Sequence, residues 1–143
     1  MEWLQGFVDY GVLGFLLLMS CISLGILLER WLVFRDVRVE TFDDKRELEL
    51  ALTDKLQAVA TIAATAPYIG LFGTVLGIMF TFYSMGSEGF GMDPAKIMTG
   101  LAMALKATAM GLLVAIPSVA GYNFLQRKVK TLMLKWEIQH GPA

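Results

Sequence analysis

Residues Ala64–Ser84 read ATAPYIGLFGTVLGIMFTFYS, and how this stretch is read decides the fold. It carries no charge and is long enough to cross a bilayer, which takes about 20 apolar residues. Yet Pro67, Gly70, Gly73, Gly77, Thr74 and Thr81 favour neither helix propensity nor solubility in lipid. A helix that keeps such residues in a membrane presents them to something other than acyl chains.

The rest of the chain sets the frame. Of its 143 residues, 56% are hydrophobic and 17% charged, with a mean hydropathy of +0.60. That balance marks a membrane protein rather than a soluble domain. A net charge of −1 gives no reason to expect nucleic acid as a partner. One cysteine, Cys21, and one histidine, His140, exclude a disulfide within the chain and a Cys/His metal cluster. No cofactor or metal is expected. Three uncharged runs, Tyr10–Leu28, Leu56–Ser87 and Ala107–Gln126, each reach spanning length. None shows the alternation of a membrane barrel. The fold expected is an all-α integral membrane protein with three transmembrane helices.

The basic residues orient it. Arg30, Arg35, Arg38, Lys45, Arg46 and Lys55 lie between the first two runs, and Arg127, Lys128, Lys130 and Lys135 follow the third. The positive-inside rule puts both segments in the cytoplasm and the amino terminus outside. Glu29, Arg30, Arg127 and Lys128 then stand at the cytoplasmic ends of the spans. The first helix, with no basic residue before it, reads as a retained anchor rather than a signal peptide.

The whole chain, 1–143, reads as a single membrane domain. Its parts are a first span over about 8–34, a polar segment 35–55, a second span over about 56–85, a loop 86–94, a third span over about 95–126 and a tail 127–143. Trp3, Tyr10, Trp31 and Phe34 are placed for the two interfaces. Lys45 and Glu49 are spaced for a helical ion pair in a segment that leads into the second span without much of a break. Asp93 caps the third helix, with Pro94 at its first position.

On a helical wheel, Ala63, Ala66, Gly73, Thr74, Gly77, Thr81 and Ser84 fall within about 60° of Gly70. Ile69, Leu71, Phe72, Val75, Leu76, Met79, Phe80 and Phe82 take the other side. In the third helix Gly100, Ala104, Ala107, Thr108, Gly111, Ala115 and Ser118 share an arc of about 100°. Close helix packing explains the small residues, Gly73 and Gly77 above all. It explains the hydroxyls less well, so Thr74, Thr81 and Thr108 are the candidate pore-lining, proton-path residues. These faces are expected to be more than one three-helix protomer can satisfy. A closed ring is expected, with Ala66, Gly70, Thr74 and Thr108 toward its axis. Pro67 and Pro117 each leave a carbonyl, of Ala63 and Leu113, without its usual helical donor.

Helices two and three carry no Asp, Glu or His within their spans, and such groups typically build membrane proton relays. If protons cross here, another subunit supplies the carboxylate. Lys106 lies about 160° from Thr108 on the wheel, away from the hydroxyls. It is expected to snorkel outward or to pair at a subunit contact.

Two blocks carry a resemblance: ATIAATAPYIGLFGTVLGIMFTF (Ala60–Phe82) and ALKATAMGLLVAIPSVAGYNFLQRKV (Ala104–Val129). Together they resemble the ExbB/TolQ/MotA family of motor-energising membrane proteins and cover about half the chain. The compact segment Arg35–Leu56 looks like the short ExbB subtype; TolQ shares the motifs, and MotA has four spans and a large cytoplasmic domain. The resemblance implies a homopentamer in lipid, with helices two and three around a pore. The pore would hold an ExbD-like dimer that supplies a transmembrane aspartate. Proton flow would turn the ring relative to the dimer, and a TonB-like protein would pass that work to uptake across the outer membrane. Thr74, Thr108 and Pro67 match the family's pore threonines and helix-two proline. Many relatives carry a glutamate one and a half turns before the second threonine, where this chain has Met103, so that role does not transfer.

A TolQ-like role in envelope constriction is the nearest alternative. A scaffold whose stripes only pack, or a small solute transporter, are alternatives of another class; the latter is disfavoured by the odd span count and the lack of a repeat. No nucleophile–base pair or phosphate loop argues for an enzyme, and GLFGTVLG has no strand before it.

Overall fold

The computed structural model describes residues 2–88 and 93–141. It is built from α1 (Glu2–Asp36), a 3-10 turn (Val39–Thr41), α2 (Lys45–Thr53), α3 (Leu56–Glu88) and α4 (Pro94–His140). No strand occurs among the described residues. α1, α3 and α4 are long and apolar enough to cross a membrane.

Length explains the division of labour. At 47 residues, α4 is about 70 Å long, more than twice the hydrocarbon thickness. Its amino-terminal half packs among the other spans, and its carboxyl-terminal half must meet water. Two cores result. In the first, Leu16 and Met19 of α1 meet Ile62 and Ala66 of α3 and Val114 and Ala115 of α4. In the second, at the basic end, Leu48 and Leu52 of α2 pack with Phe34, Val39, Leu56, Leu125, Val129, Met133 and Trp136.

Local chemistry sets the ends. Asp93 accepts from the Ala95 amide at 3.0 Å ahead of Pro94, so α4 starts with the expected cap. Asp44 caps α2 by accepting from the Arg46 amide at 2.9 Å. The 3-10 turn is pinned to α4 by the Trp136 indole, which donates to the Phe42 carbonyl at 2.8 Å.

Several expectations are corrected. α2 does not run smoothly into α3: Lys55 adopts φ +67°, a left-handed conformation that breaks the helix into an elbow. Lys45 pairs with Glu137 of α4 instead of Glu49, because a side chain facing a packed neighbour finds its carboxylate closer than the one along its own helix. Phe34 is buried in the basic-end core at 5% exposure rather than lying at an interface; Trp3, Tyr10 and Trp31 are exposed. α1 begins by Glu2 rather than near residue 8, and α4 runs on through most of the tail to His140. Gly86–Glu88, assigned to the loop, are helical; Gly89–Met92 of that loop lie outside the described residues.

Candidate functional site

The two small-residue faces meet each other. A Cβ placed on Gly70 would lie 2.7 Å from the Ala107 carbonyl oxygen and 3.1 Å from Cα of Gly111. One on Gly111 would lie 2.7 Å from the Ala66 oxygen. Here α3 and α4 touch backbone to backbone, which only glycine permits. The seam continues at Gly77, where a Cβ would come 2.7 Å from that of Ala104, and at Gly73, against Ala107 and Val12 of α1. Gly100 lies against Thr81 in the same way. Ala66, Ala104 and Ala115 are buried along the seam. The expectation that one protomer cannot satisfy both faces is therefore wrong. They are complementary, and each is the other's main partner.

The seam brings Thr74 and Thr108 together. Their hydroxyls are hydrogen-bonded across the interface. Thr74 also lies 3.0 Å from the Ala104 carbonyl and 3.2 Å from that of Gly70. Each hydroxyl has one hydrogen and two acceptor sites, so Thr74 can donate to only one of these oxygens. If it donates to a carbonyl, Thr108 donates to Thr74. If it donates to Thr108, the Thr108 hydrogen is free for a group outside the seam. Thr74 is buried at 7% exposure, whereas Thr108 is only half-buried, so the pair has a closed side and an open side. Chemically it can relay a hydrogen bond from the seam to its surface by rotating two hydroxyls, with no charged group of its own.

Thr81 is not part of this pair. It lies about two helical turns away from Thr74 and donates to its own helix, to the Gly77 carbonyl at 3.0 Å. Pro67 is half-buried and Pro117 exposed, inside continuous α3 and α4.

Ser118, the last residue of the α4 stripe, donates to the Val114 carbonyl at 2.9 Å. Its oxygen is 2.6 Å from that of Ser23 on α1, so Ser23 supplies the hydrogen between them. Sequence reasoning missed Ser23, since a lone hydroxyl in an apolar run carries no periodic signal. Lys106 is exposed and lines a cavity of about 300 Å³ among α1, α3 and α4 together with Gln5 and Asp9, and it forms no salt bridge among the described residues.

Glu29 and Arg30 form one cluster. Arg30 donates to the Ala51 carbonyl at 2.9 Å and to Glu29 at 3.0 Å, and Glu29 accepts from Lys55 at 3.0 Å through both oxygens. Ala51 lies in the last turn of α2, where carbonyls lack helical donors. Arg30 thus caps α2 and, with Glu29 and Lys55, ties the elbow to α1. Arg127 and Lys128 are exposed on α4 and stand apart from it.

Residues 33–138 match the model of the MotA/TolQ/ExbB proton channel family. The chain is 52% identical over 141 residues to the biopolymer transport protein ExbB of Aquifex aeolicus, covering 99% of this chain and 95% of that protein. It is 54% identical over 136 residues to the putative ExbB-like protein 2 of Helicobacter pylori, covering 95% and 90%. With the Tol-Pal system protein TolQ of Haemophilus influenzae it shares 43% over 88 residues, 61% of this chain and 37% of that one. The family model spans most of the chain and the ExbB relatives nearly all of it, and the chain belongs to the MotA/TolQ/ExbB proton channel family.

Proposed function

We propose that this chain is the channel-forming, stator-type subunit of an ExbB–ExbD–TonB-like complex in the bacterial inner membrane, with its amino terminus periplasmic and its carboxyl terminus cytoplasmic. It assembles as a homopentamer whose α3 and α4 surround a pore. An ExbD-like dimer in that pore carries the titrating aspartate, and a TonB-like protein transmits the work to uptake across the outer membrane. The observation that carries this reading is the asymmetric hydroxyl pair. Thr74 is held inside the seam and Thr108 opens from it, so a partner carboxylate meets a neutral donor that two hydroxyl rotations can switch. A chain without intramembrane carboxylates in these helices suits the role of wall rather than proton carrier.

Thr→Val keeps the β-branched shape and removes the hydrogen bond. Leaving a partner group unsatisfied costs about 1–3 kcal/mol, against a driving force of about 2.3 kcal/mol per charge per 100 mV. Thr108→Val is expected to slow TonB-dependent uptake about tenfold or more with the complex intact. Thr74→Val is expected to slow uptake and also to loosen the seam. Normal uptake by both single variants and the double variant would reject the hydroxyl path and leave Thr74, Thr81 and Thr108 as packing residues. A stable monomer in mild detergent, seen by native mass spectrometry, would reject the ring.

The similarity to TolQ supports a second reading, a TolQ-like subunit of a Tol–Pal-type envelope system. Deletion separates the two: loss of outer-membrane uptake supports the first, and a constriction defect with uptake intact supports the second.

A further inference from the structure

At the basic end of the spans, two adjoining cavities lie along α1 and α4. The one nearer the aqueous end, about 530 Å³, is lined by Arg35, Arg127, Lys128 and Lys135, with no carboxylate among its lining residues. None of these four cations is in a salt bridge among the described residues. The other, about 320 Å³, lies one to two turns back along the spans, where Leu24, Leu27, Leu28 and Leu125 make an apolar slot. Trp31 and Phe124 line both cavities and join them. They also hold two of the cations at the boundary: the Arg35 guanidinium lies 5.7 Å from the Trp31 ring centre and the Lys128 ammonium 5.7 Å from that of Phe124. Both distances are within cation–π reach.

We infer that this bipartite groove is a binding site for one anionic phospholipid, with its phosphodiester among Arg35, Arg127 and Lys128 and an acyl chain in the leucine slot.

The match is one of charge, polarity and depth together. A cluster of uncompensated cations repels itself, and an anion relieves that repulsion. Arginine forks and lysine ammonium groups are the usual phosphate donors. Aromatic side chains mark the depth where headgroup gives way to hydrocarbon, and here they divide the basic cavity from the apolar one. A free phosphate satisfies only the first cavity, and a zwitterionic lipid brings a cation that the basic cluster opposes. On the orientation proposed above the site faces the cytoplasmic leaflet, though its chemistry does not depend on that.

The test is native mass spectrometry of the delipidated full-length protein, titrated in detergent with palmitoyl-oleoyl phosphatidylglycerol, the matching phosphatidylcholine, or inorganic phosphate. Phosphatidylglycerol is expected to be retained about tenfold more than phosphatidylcholine, since each basic residue near a lipid surface adds severalfold. Arg127→Gln with Lys128→Gln should reduce that preference to about that of phosphatidylcholine, and Arg127→Lys with Lys128→Arg should keep it. Helix content and melting by circular dichroism verify folding; if the double variant unfolds, the exposed Lys135→Gln alone is expected to lower retention severalfold. Equal retention of the two lipids by the native protein would overturn the inference. So would a preference that survives removal of both charges in the folded variant, or displacement of the lipid by millimolar phosphate, which marks a free-anion site. Loss of self-association in the charge variant with lipid retention unchanged would assign the groove to a contact between copies and reject the lipid.

Discussion

α4 buries one continuous stripe but builds its two halves from different residues. Toward the amino terminus the stripe is small but for Val114, with Ala104, Gly111, Ala115 and Ser118; toward the carboxyl terminus it is Leu125, Val129, Met133 and Trp136. The first half meets Gly70 and Gly77 of α3, with backbones in contact. The second meets Leu48, Leu52 and Leu56 through large side chains. The solvent explains the change. Among acyl chains an exposed leucine costs nothing, so helices associate by close approach and by hydrogen bonds that lipid cannot supply. In water, burying large apolar groups drives association. Polar groups follow the same division: hydroxyl pairs between the spans, and charged caps and ion pairs around the bundle. The hydroxyl pair Thr74–Thr108 therefore lies in the small-residue half.

The comparison is most exposed to failure at Gly70. Gly70→Leu forces a branched side chain against the Ala107 carbonyl and Gly111 Cα, and backbone atoms cannot step aside as a side-chain tip can. Overpacking a core usually costs about 1–3 kcal/mol, and here the loss of the folded protomer is expected, measured as yield and melting in detergent. Gly6→Ala is the control. A Cβ there has nothing within 4 Å, and helix propensity should favour it by about 0.5–1 kcal/mol. A stable Gly70→Leu protein would show that the spans do not rely on backbone contact.

Leu52→Ala tests the other half. Leu52 is fully buried, and truncation is expected to cost about 2–5 kcal/mol. The damage should stay local: hydrogen exchange should rise across α2 and the carboxyl-terminal half of α4 but not at Thr74 or Thr108. Spread of the exchange into the seam would mean that the two cores fold as one.

Arg30→Met should be milder. It keeps an apolar stem, removes the cap on Ala51 and releases Glu29 to Lys55 alone. A loss of about 1–3 kcal/mol is expected, seen as faster exchange in the last turn of α2. Unchanged exchange would mean that the elbow is held by packing rather than by its cap.

The smallest effect is at Asp44. Its hydrogen bond from the Arg46 side chain, then that from the Arg46 backbone, hold its carboxyl below the usual aspartate range. A carboxyl depressed in the folded state contributes stability above its unfolded value and loses it as pH falls through the folded one. Protection of α2 amides should therefore decline only at acid pH, below the ordinary aspartate range, and Asp44→Asn should abolish that part of the pH dependence. Because the group is exposed, salt should weaken the effect.

Uncharged run length, helical periodicity and capping chemistry made the three spans, both small-residue faces and the Asp93 cap legible in the chain alone, because each depends on residues close together on one helix. Periodicity also placed Thr74 and Thr108 on those faces. Their contact depends on the register of α3 against α4, which the Gly70–Gly111 crossing decides. The same limit hid Ser23, whose partner is 95 residues away, and Lys45, which takes Glu137 of α4 over Glu49 of its own helix. It hid the Lys55 elbow too, since no residue type there signals a left-handed turn and the cap comes from Arg30 on another helix. Faces are local properties of a helix. Which face meets which is a choice among packings with similar burial, and backbone contact and long-range hydrogen bonds make that choice only once the chain is folded.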